Sequence, residues 1–341
     1  MVSEISRQLD LVVDLYGCPN RCMHCWLGHM PNTRMPENAD NMIVDYFSPY
    51  FSRIAFYSWL REPDYCADYR GRWFRDIAIS KNARPARFEL ASFYRIVRDD
   101  QYIPFLKEVG VGKVQLTFFG LQETQDRYVG RKGAYEEVMK ASDLLIENGI
   151  IPRWQCFINE ENRDEILKLY ALAKQVRAER CPELEFFVHE GSCDGENRKL
   201  YPVRIRKCNI PDELIPVYFG YDKLLEEREC IDLLKDLREH PKFHIEGDIV
   251  LNISNTFDAF FNITHMTAPW KIGNIIADKP QELVEKILHE DTPAHCLAKQ
   301  VTWAELARRY GEVSSERAFG IDDYKMFLFN TFLEHDEGIR I

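Results

Sequence analysis

Cys18, Cys22 and Cys25 fall within "GCPNRCMHC", a C-x3-C-x2-C triplet in a chain with ten cysteines. Three thiolates this close can hold three irons of a four-iron, four-sulfur cluster and leave the fourth iron open. A structural zinc ion is the competing chemistry, with His24 or His29 as its fourth ligand. Zinc ligands usually come as two separated pairs, whereas this is one compact triplet. The spacing alone leaves both open. The other seven cysteines lie singly and read as small buried hydrophobes.

Something must hold that triplet in place. Short β-rich runs occur at 10–16, 53–59, 87–92, 113–120, 152–158 and 184–190. Between them stand helical patterns such as "NMIVDYFSPYF", "AYEEVMKASDLLIENG" and "RDEILKLYALAKQV". Strands alternating with helices predict βαβ units and a parallel sheet, six repeats before residue 191. The triplet directly follows the first run, on the rim where strand ends feed the loops. Asn162 followed by Glu165 reads as a capping box opening a helix. After residue 191 the pattern changes to a long polar connection and a helical stretch over 211–240. Short strands in "KFHIEGDIVLNIS", "DAFFNITH" and "WKIGNII" follow, then more helix. The expected fold is α/β, a partial (β/α)6 barrel of the TIM type with a small α+β C-terminal unit. The division is expected as 1–210 and 211–341.

The triplet in the loop after the first strand of such a chain resembles the radical S-adenosylmethionine superfamily. The resemblance implies a cluster on Cys18, Cys22 and Cys25, with S-adenosylmethionine on the open iron. It implies reductive cleavage of that cofactor to a 5′-deoxyadenosyl radical. Further matches extend over roughly 8–190. "AFYSWLREPDY" falls where the family has a Gly-Gly-Glu-Pro segment gripping the methionyl amine. Glu62 and Pro63 match, while Leu60 and Arg61 replace the two glycines. In "QLTFFGLQETQDRYVGRKGAYEEV", Thr117 and Arg131 fall where a hydroxyl and a guanidinium often meet the cofactor. "GDIVLNIS…WKIGNIIADKPQELVEKIL" resembles the SPASM/twitch domain that carries auxiliary clusters in many relatives. The cysteines for those clusters are missing here, so one cluster is expected.

A single cluster favours redox-neutral outcomes such as epimerisation or rearrangement, with dehydrogenation the alternative. Cys193, after the sixth run, is the expected donor returning a hydrogen atom to a substrate radical. Only 17 residues precede Cys18, too few for a peptide-recognition domain. A small polar metabolite (a sugar, nucleoside or amino-acid derivative) is therefore the expected substrate, and a peptide the runner-up. The expected partner is an electron donor such as flavodoxin or ferredoxin. A different class of reading is a non-enzymatic metal-binding protein that keeps the fold. A net charge of -11 argues against a sequence-independent grip on nucleic acid. The N-terminus has no signal-peptide pattern, and no apolar run approaches the ~18 residues of a membrane span. A cytoplasmic protein is expected.

Overall fold

Every second side chain of Lys113–Phe118 is buried, and Ile151–Phe157 and Glu185–His189 repeat the alternation. Period two sends Val114, Leu116, Trp154, Cys156, Phe186 and Val188 to one face, into one core with Phe105, Val138, Ile166 and Leu169. The opposite face carries Gln115, Thr117, Arg153, Gln155, Phe187 and His189, all half-buried. That face lines the lumen of a partial barrel.

The structure, a computed structural model, describes residues 5–87, 92–262 and 266–335. Its first half runs β1 (Leu9–Val13), α1 (Ala39–Phe47), β2 (Ile54–Tyr57), α2 (Tyr69–Ile79), α3 (Phe93–Ile96), α4 (Tyr102–Glu108), β3 (Lys113–Phe118), α5 (Gln122–Val129), α6 (Ala134–Glu147), β4 (Ile151–Phe157), α7 (Arg163–Glu179) and β5 (Glu185–His189). Then come β6 (Leu225–Glu226), α8 (Glu227–Leu234), β7 (Ile249–Ile253), β8 (Asp258–Phe261), β9 (Lys271–Asn274), α9 (Pro280–His289), α10 (Pro293–Ala298), α11 (Trp303–Tyr310), β10 (Ala318–Phe319) and α12 (Ile321–His335). Strands β3, β4 and β5 form one parallel sheet in that order, and β1 and β2 pair in parallel in another. Five of the six expected barrel strands are thus in place. Most of the remaining run, residues 88–91, lies outside the described residues.

The sheet that holds β1 and β2 also takes in strands from beyond residue 210. β7 pairs in parallel with β1 from Leu9↔Ile249 to Val13↔Ile253, and β8 and β9 continue antiparallel beyond it. The reason lies in the buried faces. Leu9, Leu11 and Val13 share one core with Ile249, Leu251, Ile253 and with Leu283, Val284 and Ile287 of α9. Each such side chain contributes roughly 1.5–3 kcal/mol by leaving water, so the C-terminal segment completes the core beside β1. Its other helices, α8, α11 and α12, close around Trp270, Trp303 and Phe329 in a separate core. No described helix is long and apolar enough to cross a membrane.

Candidate active site

The cysteine loop leaves β1 through a buried ion pair. Asp14 and Arg61 meet at 2.8 Å with both side chains nearly sealed from solvent, and Asp14 also accepts from the Gly17 amide at 3.1 Å. Arg61 donates onward to the carbonyls of Met30 (3.0 Å) and Pro31 (3.2 Å). One of the two residues that replace the expected glycines therefore has a job: Arg61 laces the cysteine loop to the end of β1. Burial raises the Asp14 carboxyl above its ordinary value, and Arg61 opposes that shift. Asn32 closes the loop by exchanging hydrogen bonds with the Cys18 backbone, at 2.7 and 3.1 Å. Asn255, between β7 and β8, donates to the Pro31 carbonyl at 2.6 Å.

On its far flank the loop threads between α5 and the 3-10 segment Gly195–Val203. Arg21 and Met23 donate to the carbonyls of Val129 and Tyr128 at 3.0 and 2.8 Å, and Glu196 donates to that of Cys25 at 2.9 Å. At Gly195, φ is +53° and an added Cβ would lie 2.4 Å from the Cys25 and Trp26 carbonyls. Only glycine allows so close an approach.

The three thiols are free and half-buried. Burial pushes Cys22 up to about 12, with Cys25 and Glu62 adding to the shift, and raises Cys18 and Cys25 as well. Thiols this reluctant to ionise become thiolates when a metal takes the proton's place. Of the two histidines offered for zinc, His24 is packed among rings, with its Nδ1 buried and without a hydrogen-bond partner among the described residues. The His24 ring lies between Phe119 and Phe157, with centroids 4.4 and 4.5 Å away. His29 Nε2 is 3.1 Å from the Cys22 carbonyl, and its Nδ1 faces the Glu196 carboxylate at 3.7 Å. Among the described residues no three cysteine, histidine or acidic side chains converge on a single-ion site. Three thiols without a histidine suit a cubane with one open iron.

Glu62 and Arg131 come to the same niche from different elements. Glu62 follows β2, is buried, and accepts from Ser92 Oγ at 2.7 Å. Burial raises its carboxyl to about 7, offset by the Ser92 hydrogen bond and the Arg131 charge. Its charge in turn raises both Cys18 and Cys22. Arg131 donates to Asn20 inside the cysteine loop at 2.9 Å and pairs with Glu137 at 2.6 Å. Its Nη2 is buried with no hydrogen-bond partner among the described residues. A carboxyl and an unsatisfied guanidinium N–H beside three thiols are what an amino-acid zwitterion on an open iron requires. The residues present fit the two cofactors.

Thr117 stands apart from that niche in its contacts. It lies on the lumen face of β3 opposite Gln155, and its carbonyl accepts from Gln125 Nε2 at 2.9 Å. Cys193 is 1% exposed and packs in the C-terminal core with Cys230, Trp270 and Phe319. Arg204 Nη1 sits 3.1 Å from its sulfur, and burial holds the thiol far above its ordinary range. A rim pocket at the strand ends is lined by Arg204, together with His24, Phe119, Phe157, Asn159 and Asn197.

The expected capping box is replaced by a tie between strands. Asn162 Nδ2 donates to the carbonyls of Phe119 and Phe157 at 2.6 and 2.8 Å. Glu165 accepts from the Leu121 amide and from Thr124 Oγ1 at 2.5 and 2.8 Å. These side chains serve the loop ends of β3 and β4 because the backbone groups there are buried and have no ladder partner. The charged pair Asp14–Arg61 was the other feature that sequence reading missed. Its only signal was a charge on each side of the triplet, in "VVDLYGC" and "WLREP".

Residues 12–173 match the family model described as the radical SAM superfamily. A protein named Fe-coproporphyrin III synthase, from Methanosarcina barkeri (strain Fusaro / DSM 804), is 21% identical over 273 residues. That alignment covers 79% of this chain and 58% of the relative, so the chain spans under two thirds of the relative's length. Among solved structures, native anSMEcpe with bound AdoMet and Kp18Cys peptide aligns with a TM-score of 0.52 at 14% identity, covering 97% of this chain and 100% of that one. The same protein with bound AdoMet alone gives 0.52 at 13%, covering 97% and 98%. These likenesses show a shared fold.

Proposed function

We propose, for a chain whose residues 12–173 match the radical SAM superfamily model, an enzyme that abstracts a hydrogen atom from a small polar metabolite held in the barrel lumen. When bound, the four-iron, four-sulfur cluster and S-adenosylmethionine used by this family supply a 5′-deoxyadenosyl radical for that step. Cys18, Cys22 and Cys25 hold the cluster. Glu62 faces the cofactor's ammonium and Arg131 Nη2 its carboxylate, while Thr117 on the lumen face meets the ribose side. The observation that carries the reading is the convergence of Glu62 and Arg131, with its unsatisfied N–H, on the loop segment of Cys18 and Cys22.

The C-terminal unit is read as a SPASM/twitch-like scaffold without an auxiliary cluster. The "IGN" turn supports this: Asn274 Nδ2 donates to Asp258 at 2.7 Å, and its Oδ1 accepts from the Ile276 and Ala277 amides. Cys208, Cys230 and Cys296 lie on separate elements, with Cys230 buried and the others exposed. One cluster favours a redox-neutral outcome, epimerisation or rearrangement ahead of dehydrogenation. A single-electron donor of the flavodoxin or ferredoxin kind is the required partner. Hydrogen return from Cys193 requires its thiol to be reached past Arg204. If Cys193→Ala makes normal product at the normal rate, that role is gone and the residue only packs.

Anaerobic reconstitution tests the reading. About four irons per chain are expected for one cubane, with 5′-deoxyadenosine formed under reductant. The triple Cys18→Ala, Cys22→Ala, Cys25→Ala variant should lose both. Cleavage that survives in that variant would sink the assignment and leave the non-enzymatic reading. A substrate screen in heavy water, read by deuterium uptake, should include polar metabolites and peptides. The peptide arm is there because a relative of the same fold was solved with a peptide bound.

A further inference from the structure

A single row of rings joins the cysteine loop to the outer edge of the lumen. His24 of the loop touches Phe157 at 4.5 Å between centroids, and Phe157 touches His189 at 4.3 Å. His189 lies 6.0 Å from Phe187 with the planes 15° apart, and Phe187 lies 6.3 Å from Phe219. Phe219 is held in register. Tyr218 bridges Val188 in parallel, and the Phe219 amide donates to the Val188 carbonyl at 2.8 Å. Those two residues extend the edge of β5, with Tyr218 on the helix side and Phe219 on the lumen side. Yet Phe219 is 74% exposed. An aromatic side chain aligned by backbone pairing but left to water forgoes the burial that would stabilise it. Beside it, the Arg153 guanidinium lies over the Phe187 ring at 4.9 Å, adding a second flat surface.

A ladder of amides runs along the same face. Gln115 hydrogen-bonds Gln155, and Gln155 meets His189 Nε2 at 2.6 Å. The Gly191 amide donates to His189 Nδ1 at 3.2 Å. Gln115 Nε2 donates to Gln155 Oε1, and Gln155 Nε2 is the atom that faces His189. The Gln115 amide ends this ladder on the lumen face of β3, two residues before Thr117.

We infer that the substrate carries a planar conjugated ring with a polar edge. The ring lies against Phe219 and the Arg153–Phe187 stack, and its polar edge meets the Gln115 amide. This inference rests on the hydrogen-abstracting reading above; a purine nucleoside would narrow its substrate class, and a tetrapyrrole would replace it. Two kinds of molecule share the chemistry, a carboxylate-bearing tetrapyrrole and a purine nucleoside.

The test uses the reconstituted full chain with S-adenosylhomocysteine present to fill the cofactor niche. Coproporphyrin III is titrated by its absorbance shift and adenosine by equilibrium dialysis, with N-acetylglycine as a ring-free control. One ring compound should bind saturably, and which one binds names the source. Phe219→Ala should raise its Kd about tenfold, as loss of one stacking partner does, while Phe219→Trp retains affinity. Because Phe219 is exposed, the alanine variant should keep the wild-type circular dichroism. The inference is overturned if neither ring binds better than N-acetylglycine. It is equally overturned if Phe219→Ala and Phe187→Leu both leave Kd unchanged within about twofold. Failure of the underlying reading looks different: no 5′-deoxyadenosine forms from S-adenosylmethionine under reductant, whatever the ring compounds do.

Discussion

The cysteine niche and the lumen face of β3–β5 are built on opposite plans. In the niche, backbone and buried charge leave almost nothing free to move. Arg61, Asn32 and Asn255 each end on loop carbonyls, and Gly195 lets a neighbouring segment touch the loop directly. Along the lumen, half-buried glutamines, rings and a threonine stand on a rigid sheet, and their contacts are mostly with one another. A site that must hold one fixed cofactor gains from preorganisation, because each group is already where charge must be met. A face that selects a substrate can vary its side chains while the sheet behind it stays the same.

The contrast breaks most sharply at the Asp14–Arg61 pair. Removing one partner of a buried ion pair strands the other charge, at a cost of roughly 3–5 kcal/mol. Arg61→Gly, which restores the family's residue, should therefore lower stability in urea by about that amount. The double variant Asp14→Ala, Arg61→Gly should recover part of the loss. If Arg61→Gly alone is neutral, the loop is held by its other ties and the niche is less rigid than its contacts indicate.

Glu62→Gln should have the next largest effect. A charge-assisted contact to an ammonium is worth roughly 1.5–3 kcal/mol, so S-adenosylmethionine should bind about tenfold more weakly or worse. The cluster absorbance should be unchanged, since Glu62 is not a ligand. Unchanged affinity would mean that Leu60 and Arg61 have moved the cofactor's amine elsewhere.

The lumen should answer most gently, and to acid. Burial and the Arg204 charge lower His189 to about 4, from an ordinary 6.5. Between those values the unfolded chain binds the extra proton and the folded chain does not. The stabilising contribution is full above about pH 6.5 and is lost as pH falls toward 4, by at most about 1.4 kcal/mol per pH unit. Urea melts from pH 7 to 4.5 should show this slope, and His189→Gln should flatten it. An equal slope in that variant would assign the acid sensitivity to other groups, such as His24.

Much of this was readable before any fold was known. Spacing alone marked Cys18, Cys22 and Cys25, because ligands of one cluster must sit close together in a loop. Period-two alternation marked β3, β4 and β5, since a sheet covered on one side repeats burial every second residue. Glu62 and Arg131 were nameable only through resemblance to a family. The partners that flank them, Ser92 and Asn20, carry no local pattern. Cys193 could be placed after a strand end, but its burial depended on α8 and α12 folding over it.

Local chemistry and periodicity are short-range properties, so the chain by itself determined its compact cysteine triplet, its strands and the order in which they alternate with helices. Tertiary structure alone decided that β7 completes the sheet beside β1, that Arg61 answers Asp14, and that rings from four separate segments form one row ending at Phe219. Those facts join residues tens to hundreds of positions apart. Such pairs meet only because burying apolar faces brings their elements together, and nothing in the local sequence of either partner records the meeting.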